Sequence, residues 1–378
     1  MTNQQPSNAV YATQVAPLFK PFSLGKLELR NRVVMAPMTR SFSPNGVPGS
    51  DVAAYYRRRA ENGVGLIVTE GTLIGHPAAT DDPNVPNFHG EAALNGWAEV
   101  VKQVHEAGGR IIPQIWHVGM VRKVGSQPNP EALPIGPSGL DLQGNKVTEP
   151  MAKDEIAKVV AAYAQAAADA KRIGFDGVEI HGAHGYLIDQ FLWEETNQRD
   201  DEYGGSLEKR ARFAVEVVAA VREAVGPEFP IVLRLSQWKS SSYTAKLANT
   251  PEELEILLTL LVKAGVDIFH SSTRRFWEPE FEGSELNFAG WAKKLTGKPV
   301  ITVGSVGLDG DFTSLFTEGK GAGNASLDGL IDRLEREEFD LVAVGRALLV
   351  DPAWANKIQA GRFDELIPFT PKALSSLS

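Results

Sequence analysis

Eight short apolar segments recur along the 378-residue chain, and polar stretches with helical spacing separate them. Each segment has the length of a β-strand and is almost unbroken in apolar character. Strands look like this when both of their faces are buried in a parallel sheet. We predict strands at residues 32–36, 64–69, 110–116, 177–181, 231–235, 266–271, 299–303 and 341–344.

The segments between these strands contain helix start and stop signals. Thr250 is followed by Pro-Glu-Glu, which is a capping box with proline at the first helical position. Residues 161–173 are rich in alanine and amphipathic. Gly174, Gly226 and Gly265 each lie between a helical stretch and the next strand, where glycine commonly ends a helix.

Eight strand–helix units in one chain favour an α/β fold of the (β/α)₈ TIM barrel type over a doubly wound sheet. A dinucleotide-binding sheet would show glycines after its first strand, whereas the chain continues there with Met-Ala-Pro-Met-Thr. We expect a single domain over residues 1–378 with loop insertions. Its appendages and excursions are the polar N-terminal extension 1–15, the loops 119–150 and 236–249, the glycine-rich insertion 319–325 and the C-terminal tail 362–378.

Composition narrows the function classes. The chain is 43% hydrophobic and 22% charged, and its net charge of −9 gives no reason to expect nucleic-acid binding. The absence of cysteine excludes disulfides, thiolate ligands and a cysteine nucleophile. We see neither a signal peptide nor an apolar run near the roughly 18 residues that span a bilayer. We therefore expect a cytoplasmic protein without membrane contact.

Active sites of TIM barrels lie at the C-terminal ends of the strands. Strands seven and eight end in Gly304-Ser305 and Gly345-Arg346. Glycine backbone and an arginine fork at this position are typical of a phosphate site. The simpler interpretation is that the glycines form tight turns and that the arginine is solvated.

His181 and His184 follow strand four, with Tyr186 close behind. A metal pair would need carboxylates to complete its shell, and Glu179 lies too deep on the same strand to serve. Simple packing of two histidines is a second interpretation. Two N–H donors beside a phenol suit a clamp for an anion or a carbonyl oxygen better, so we predict no metal.

The most specific motif of the chain is HGAHGYLIDQFL at residues 181–192. With it, the chain resembles the old yellow enzyme family of FMN-dependent ene-reductases over roughly residues 17–361. The supporting stretches are NRVVMAPMT at 31–39, TEGT at 69–72, QIWH at 114–117, YGGS at 203–206, RARF at 210–213 and VGR at 344–346.

The resemblance implies an FMN cofactor across the barrel mouth. Gln114 would pair with the pyrimidine edge, Thr39 with the C4 carbonyl, and Arg234 would lie near N1 and the C2 carbonyl. Gly71 would pack on the ring system, where a larger side chain would clash. The full set of implied cofactor-binding residues is Ala36, Pro37, Met38, Thr39, Gly71, Gln114, Arg234, Gly304, Ser305, Gly345 and Arg346.

The resemblance also implies a two-step reaction. NADPH or NADH reduces the FMN and leaves, and an activated alkene then takes its place as the small-molecule substrate. His181 and His184 would bind the oxygen of its carbonyl or nitro group, and Tyr186 would donate a proton to the α-carbon. Trp116 and Trp277 would line the substrate pocket, with core packing as the alternative role of each.

The chain departs from the family pattern at three single positions, in the insertion 319–325, and in its C-terminal tail, which lacks the tyrosine-rich ending of many relatives. His184 stands where many members have asparagine, Thr39 where one branch has cysteine, and Gln237 where we expected proline. Other functions stay open: nitro or nitrate-ester reduction or amine oxidation on the same flavin, a metal-dependent hydrolase, or flavin storage without catalysis.

Overall fold

The computed structural model describes residues 8–310 and 318–378, and eight parallel strands within these ranges close into a barrel. The strands pair in chain order, and the last pairs with the first, as Val342 does with Val33. The predicted (β/α)₈ barrel is confirmed, and each of the eight predicted segments overlaps one barrel strand. A hairpin, β1 (Phe22–Leu24) and β2 (Leu27–Leu29), precedes β3 (Val33–Met35), β4 (Leu66–Leu73), β5 (Arg110–Trp116), β6 (Val178–His184), β7 (Ile231–Lys239), β8 (Ile268–Ser272), β9 (Val300–Val303) and β10 (Leu341–Val344).

Three barrel strands extend farther toward the C-terminal face than the apolar pattern predicts. β4 ends at Leu73, β6 at His184 and β7 at Lys239. Backbone pairing continues through the polar residues of these extensions, with register shifts in β4 and β6. Hydropathy alone therefore ended the predicted strands too early, and the excursion predicted at 236–249 begins after Lys239.

Helices cover the outside of the barrel, and the predicted start and stop signals are in place. The Thr250 hydroxyl accepts from the Glu253 backbone N–H, and Gly226 and Gly265 cap helices with positive φ. In the described ranges, no α-helix combines the length and the apolarity needed to cross a bilayer. The α-helices are α1 (Asn8–Gln14), α2 (Ser50–Glu61), α3 (Glu91–Glu106), α4 (Lys153–Arg172), α5 (Leu187–Leu192), α6 (Leu207–Val225), α7 (Pro251–Ala264), α8 (Phe288–Thr296), α9 (Asp328–Glu335), α10 (Arg346–Val350) and α11 (Trp354–Gln359). Short 3₁₀ helices lie at Ala16–Phe19, Pro44–Gly46, Gly119–Val121, Phe363–Glu365 and Pro371–Ser375.

The N-terminal end of the barrel is closed by apolar side chains. Leu27 and Leu29 of the hairpin belong to one buried cluster with Val34, Leu66 and Ile112 of the barrel strands. Removing such side chains from water is favourable and stabilises this end of the barrel. Polar side chains inside the barrel lie toward the opposite, C-terminal mouth.

The insertion and the C-terminal tail contact each other and the mouth. Ala322 pairs with Phe369 through two backbone hydrogen bonds. The Arg40 guanidinium donates to several tail carbonyls, the shortest bond being 2.6 Å to Ser376. The tail therefore lies against the loop that follows β3 and includes Thr39.

Candidate active site

A polar layer lies inside the barrel just above the apolar one. Gln114, Glu179, Arg234 and His270 come from four consecutive strands, β5 to β8, and all are buried. Gln114 Nε2 donates to Glu179 Oε1 at 2.8 Å, and His270 Nδ1 lies 2.7 Å from Glu179 Oε2. Sequence analysis named Gln114 and Arg234 but gave no role to Glu179 or His270. A sequence signal for Glu179 was its position on β6, where a charged residue stands between two buried apolar residues.

Four aromatic side chains predicted for catalysis and substrate binding lie together above this layer. The Tyr186 ring packs edge-on against Trp116 at 4.9 Å and against His181 at 5.1 Å between ring centroids. His181 is also 5.2 Å from His184 and stacks on Trp116. The structure thus brings two imidazoles and a phenol around one space at the mouth.

The turn after β6 positions His184 and Tyr186. His184 and Gly185 have φ values of 65° and 86°, a left-handed conformation that a side chain disfavours. The Gly185 N–H donates to Asp189 Oδ2 at 2.7 Å, and Lys239 Nζ donates to Asp189 Oδ1 at 2.8 Å. Both charged side chains are fully buried. Burial raises the pKa of Asp189 and lowers the pKa of Lys239, since each charge loses its hydration.

His184 has two partners that sequence analysis did not identify. Its Nε2 lies 2.7 Å from Ser272 Oγ, and its ring stacks on Trp238 at 4.4 Å. The Trp238 indole N–H donates to the Ser272 carbonyl. Trp238 lies in a stretch that we predicted as a loop. The one sequence signal there was the neighbouring Gln237, which stands where we expected proline.

The imidazoles of the mouth are neutral donors. Burial, with the nearby Arg234 charge as a further cause, lowers the pKa of His181 and of His184 well below the usual range. The Ala183 N–H donates to His181 Nδ1, so the assigned tautomer has its hydrogen on Nε2. Burial raises the pKa of Tyr186, which keeps the phenol protonated at neutral pH.

Arg234 supplies a positive charge near His181 and His184. Its guanidinium is buried and lies 3.5 Å from Ser272 Oγ through Nη2. Its Nε has no hydrogen-bond partner within the described part of the chain. A buried donor of this kind suits a ligand with acceptor atoms.

The predicted phosphate-site residues meet at the ends of β9 and β10. Gly304 has φ 147°, and a Cβ there would come within 2.6 Å of Thr273 Oγ1. Ser305 has φ 48°, and the Arg346 Nη2 donates to the Gly310 carbonyl at 2.7 Å. Gly304 thus packs closely on the segment that follows β8, and the Arg346 guanidinium bonds to the loop that follows β9.

The β3 loop is fixed by a buried carboxylate. Glu70 Oε2 accepts from the backbone N–H groups of Arg40 and Ser41. Arg40 is buried, whereas the preceding Thr39 is exposed at the mouth. Ala36, Pro37 and Met38 lead into this loop, and Ala36 donates to the Val344 carbonyl.

Gly71 and Trp277 have neighbours that sequence analysis did not identify. A Cβ at Gly71 would come within 2.4 Å of Trp116 Cε3, so a larger side chain there would clash with Trp116. Trp277 follows β8 on a surface loop, where it is 43% exposed and packs on Phe276. Its role in the substrate pocket stays a prediction.

The described residues give the metal hypothesis no complete ligand set, since no three His, Asp or Glu side chains group in a metal-holding arrangement there. The two histidines at the mouth have a serine, a tryptophan and a phenol as neighbours. Glu179 bonds to Gln114 and His270 instead.

The comparisons with known proteins agree with this geometry. A family model described as "NADH:flavin oxidoreductase / NADH oxidase family" matches residues 17–365. An NADH oxidase of Thermoanaerobacter brockii is 33% identical over 358 residues, which are 92% of this chain and 52% of that protein. The chain thus spans about half the length of that relative.

Two reductases are also similar. The 12-oxophytodienoate reductase 1 of Oryza sativa subsp. japonica is 44% identical over 223 residues, which are 57% of this chain and 58% of that protein. The solved structure of morphinone reductase in complex with tetrahydroNAD superposes with a TM-score of 0.78 at 33% identity, covering 94% of this chain and 93% of that chain.

Replacing Lys239 by methionine is expected to lower the free energy of unfolding by about 3–5 kcal/mol, because the Asp189 charge stays buried without its partner. Urea denaturation followed by circular dichroism measures the loss. The double variant D189N/K239M should recover most of it. The matched control is K158M, which removes an exposed partner of Asp154 and should change little. Equal losses in K239M and the double variant would contradict the ion-pair account.

Glu70 predicts a pH dependence of stability. Burial raises its pKa from 4.5 to about 7, so the folded protein keeps a proton that the unfolded chain has lost between these values. Stability should therefore fall as pH rises from about 4.5 to about 7, by about 3 kcal/mol for this group. The E70Q variant lacks this titrating carboxyl group. The free energy of unfolding of the parent should therefore fall relative to that of E70Q as pH rises through this range. Parallel pH profiles in urea denaturation would refute this assignment.

Proposed function

Because the chain belongs to the NADH:flavin oxidoreductase / NADH oxidase family, we propose that it is an FMN-dependent ene-reductase that uses NADPH or NADH as its reductant. The observation that supports this most is the grouping of His181, His184 and Tyr186, two neutral imidazoles and a protonated phenol, around one buried space. When bound, FMN supplies hydride transfer from the nicotinamide to the β-carbon of an activated alkene.

The residues at the mouth fit FMN. The unpaired Nε of Arg234 suits the acceptor atoms of the pyrimidine, and its positive charge would favour negative charge there. Gln114 would pair with the pyrimidine edge and Thr39 with the C4 carbonyl. Ala36, Pro37, Met38 and Gly71 would lie along the ring system. The cradle of Gly304, Ser305, Gly345 and Arg346 would hold the phosphate.

His181 and His184 would orient and polarise the substrate. The Nε2–H of His181 is free to donate to a carbonyl or nitro oxygen, because Nδ1 accepts from Ala183. For His184, the same role requires the Nε2–H to be shared between Ser272 Oγ and the substrate oxygen. Fixed donors in a site shielded from water stabilise charge that develops on that oxygen.

Tyr186 would supply the proton that completes the reduction. Its phenol is buried beside His181 and Trp116, and its raised pKa keeps the hydroxyl proton in place. A positioned acid of this kind accelerates a reaction by roughly 10²–10⁴-fold. Trp116 would form the wall of the substrate pocket on this side.

The relatives support the substrate class. The names 12-oxophytodienoate reductase and morphinone reductase both describe reductases whose named substrates are ketones. The tetrahydroNAD complex of morphinone reductase supports a nicotinamide reductant for this chain. We propose α,β-unsaturated carbonyl compounds and nitroalkenes as substrates of this chain. Nitro or nitrate-ester reduction is the second candidate, because the same two imidazoles would hold a nitro oxygen.

Replacing Tyr186 by phenylalanine tests its role as the proton donor. Reduction of the flavin by NADPH should stay unchanged, whereas its reoxidation by 2-cyclohexenone should slow by roughly 10²–10⁴-fold, since only the second step uses the phenol proton. Stopped-flow absorbance measures the two half-reactions separately.

The matched control is Y203F, which removes a phenol that donates to Glu216 away from the site. It should leave both half-reactions intact. Equal slowing of both steps in Y186F would argue against its role as the proton donor. Unchanged reoxidation by the enone in Y186F would show that another group supplies the proton.

A further inference from the structure

The carboxylate of Glu179 lies in the barrel interior with one donor on each oxygen. The side chain is fully buried, Oε1 accepts from Gln114 at 2.8 Å, and Oε2 is 2.7 Å from His270 Nδ1. Among the described residues, His270 is the one basic side chain within 4 Å of the carboxylate oxygens. A buried carboxylate loses its hydration, which is costly unless hydrogen bonds and nearby charges compensate the loss.

The carboxylate fixes the orientation of the Gln114 amide. An ionised carboxylate only accepts hydrogen bonds, so the amide NH₂ must face Glu179 and the amide oxygen must face elsewhere. A flipped amide would bring oxygen against oxygen. The pyrimidine edge of a ligand at the mouth therefore meets a Gln114 with one defined arrangement of donor and acceptor.

His270 extends the same layer toward Arg234. Burial lowers the pKa of His270, so its imidazole is neutral. The Nδ1–H donates to Glu179, which leaves Nε2 as an acceptor. This Nε2 is buried and has no hydrogen-bond partner within the described part of the chain. His270 pairs in register with Arg234 on β7.

The charge of Glu179 also acts on Arg234. Burial lowers the pKa of Arg234, and the Glu179 carboxylate is near enough to oppose that shift. A negative charge in this layer offsets part of the positive field of the guanidinium. At the mouth, this offset disfavours additional negative charge on a ligand.

We propose that Glu179 and His270 form a positioning pair beneath the flavin, which orients Gln114 and moderates the charge of Arg234. The pair thereby increases FMN affinity and lowers the flavin reduction potential. This inference rests on the proposed flavin site and assigns a role to two residues that touch neither substrate nor cofactor.

Replacing Glu179 by glutamine tests both effects. Glutamine replaces one of the two carboxylate oxygens by an NH₂ group, so either Gln114 or His270 loses its acceptor. FMN affinity should fall about tenfold, and the two-electron reduction equilibrium should shift about tenfold toward the reduced form, or about 30 mV. Fluorescence titration with FMN and equilibration with a reference redox dye measure the two quantities. A loss of packing alone would weaken FMN binding without shifting the equilibrium toward the reduced form, so the potential distinguishes the two causes.

The matched control is E155Q. Glu155 on α4 also accepts from an imidazole, His76 Nε2 at 2.8 Å, but it lies outside the barrel. E155Q should leave affinity and potential unchanged. Results for E179Q equal to those for E155Q in both readouts would overturn the proposal.

A second variant, E179D, keeps the charge but shortens the reach to Gln114. It should weaken FMN binding while the potential stays near that of the parent. If E179Q does not fold, unchanged FMN affinity in E179D overturns the proposal by itself. A parent protein that binds no FMN would overturn the proposed function as well, whereas a parent that binds it and matches E179Q would overturn this inference alone.

Discussion

The closed parallel barrel is the constraint on which the rest of the structure depends. In a closed barrel, alternate residues of each strand point to the axis, so a step of two residues raises a side chain by one layer. Val232 and Ile268 belong to the apolar cluster, and Arg234 and His270 follow two residues later on the same strands. The same step places the catalytic candidates at the mouth, above a core that excludes water.

Burial then determines the electrostatics of the mouth. The histidines lose their charge because hydration is lost, and Tyr186 keeps its proton for the same reason. Arg234 keeps a positive charge there with Glu179 nearby to offset it. A set of neutral donors beside one moderated cation suits a reaction in which negative charge appears briefly on a substrate oxygen.

Much of the fold was predictable from local patterns. The eight strands follow from apolar runs, and the start of α7 follows from the Thr250 cap, because both depend on neighbouring residues in the chain. The membership of the chain in a flavin oxidoreductase family is confirmed, as is the closed barrel. His181 and Tyr186 are neighbours through the local chain of β6 and its turn, and the pairing of β5 with β6 brings Trp116 beside them.

What sequence analysis missed depends on contacts between distant strands. The partners of His184, Trp238 and Ser272, lie on β7 and β8, and the extension of β7 to Lys239 needs the buried charge of Asp189 on α5. No local pattern predicts such pairs. The exposure of Trp277 was equally beyond local sequence patterns, since its position after a strand does not say how much of the ring meets solvent.

The most direct test of the account is an anaerobic visible spectrum of the purified protein with FMN, recorded before NADPH, after NADPH and after 2-cyclohexenone. The account predicts a yellow protein that bleaches with NADPH and regains its colour with the enone. A colourless protein that takes up no added FMN would contradict it.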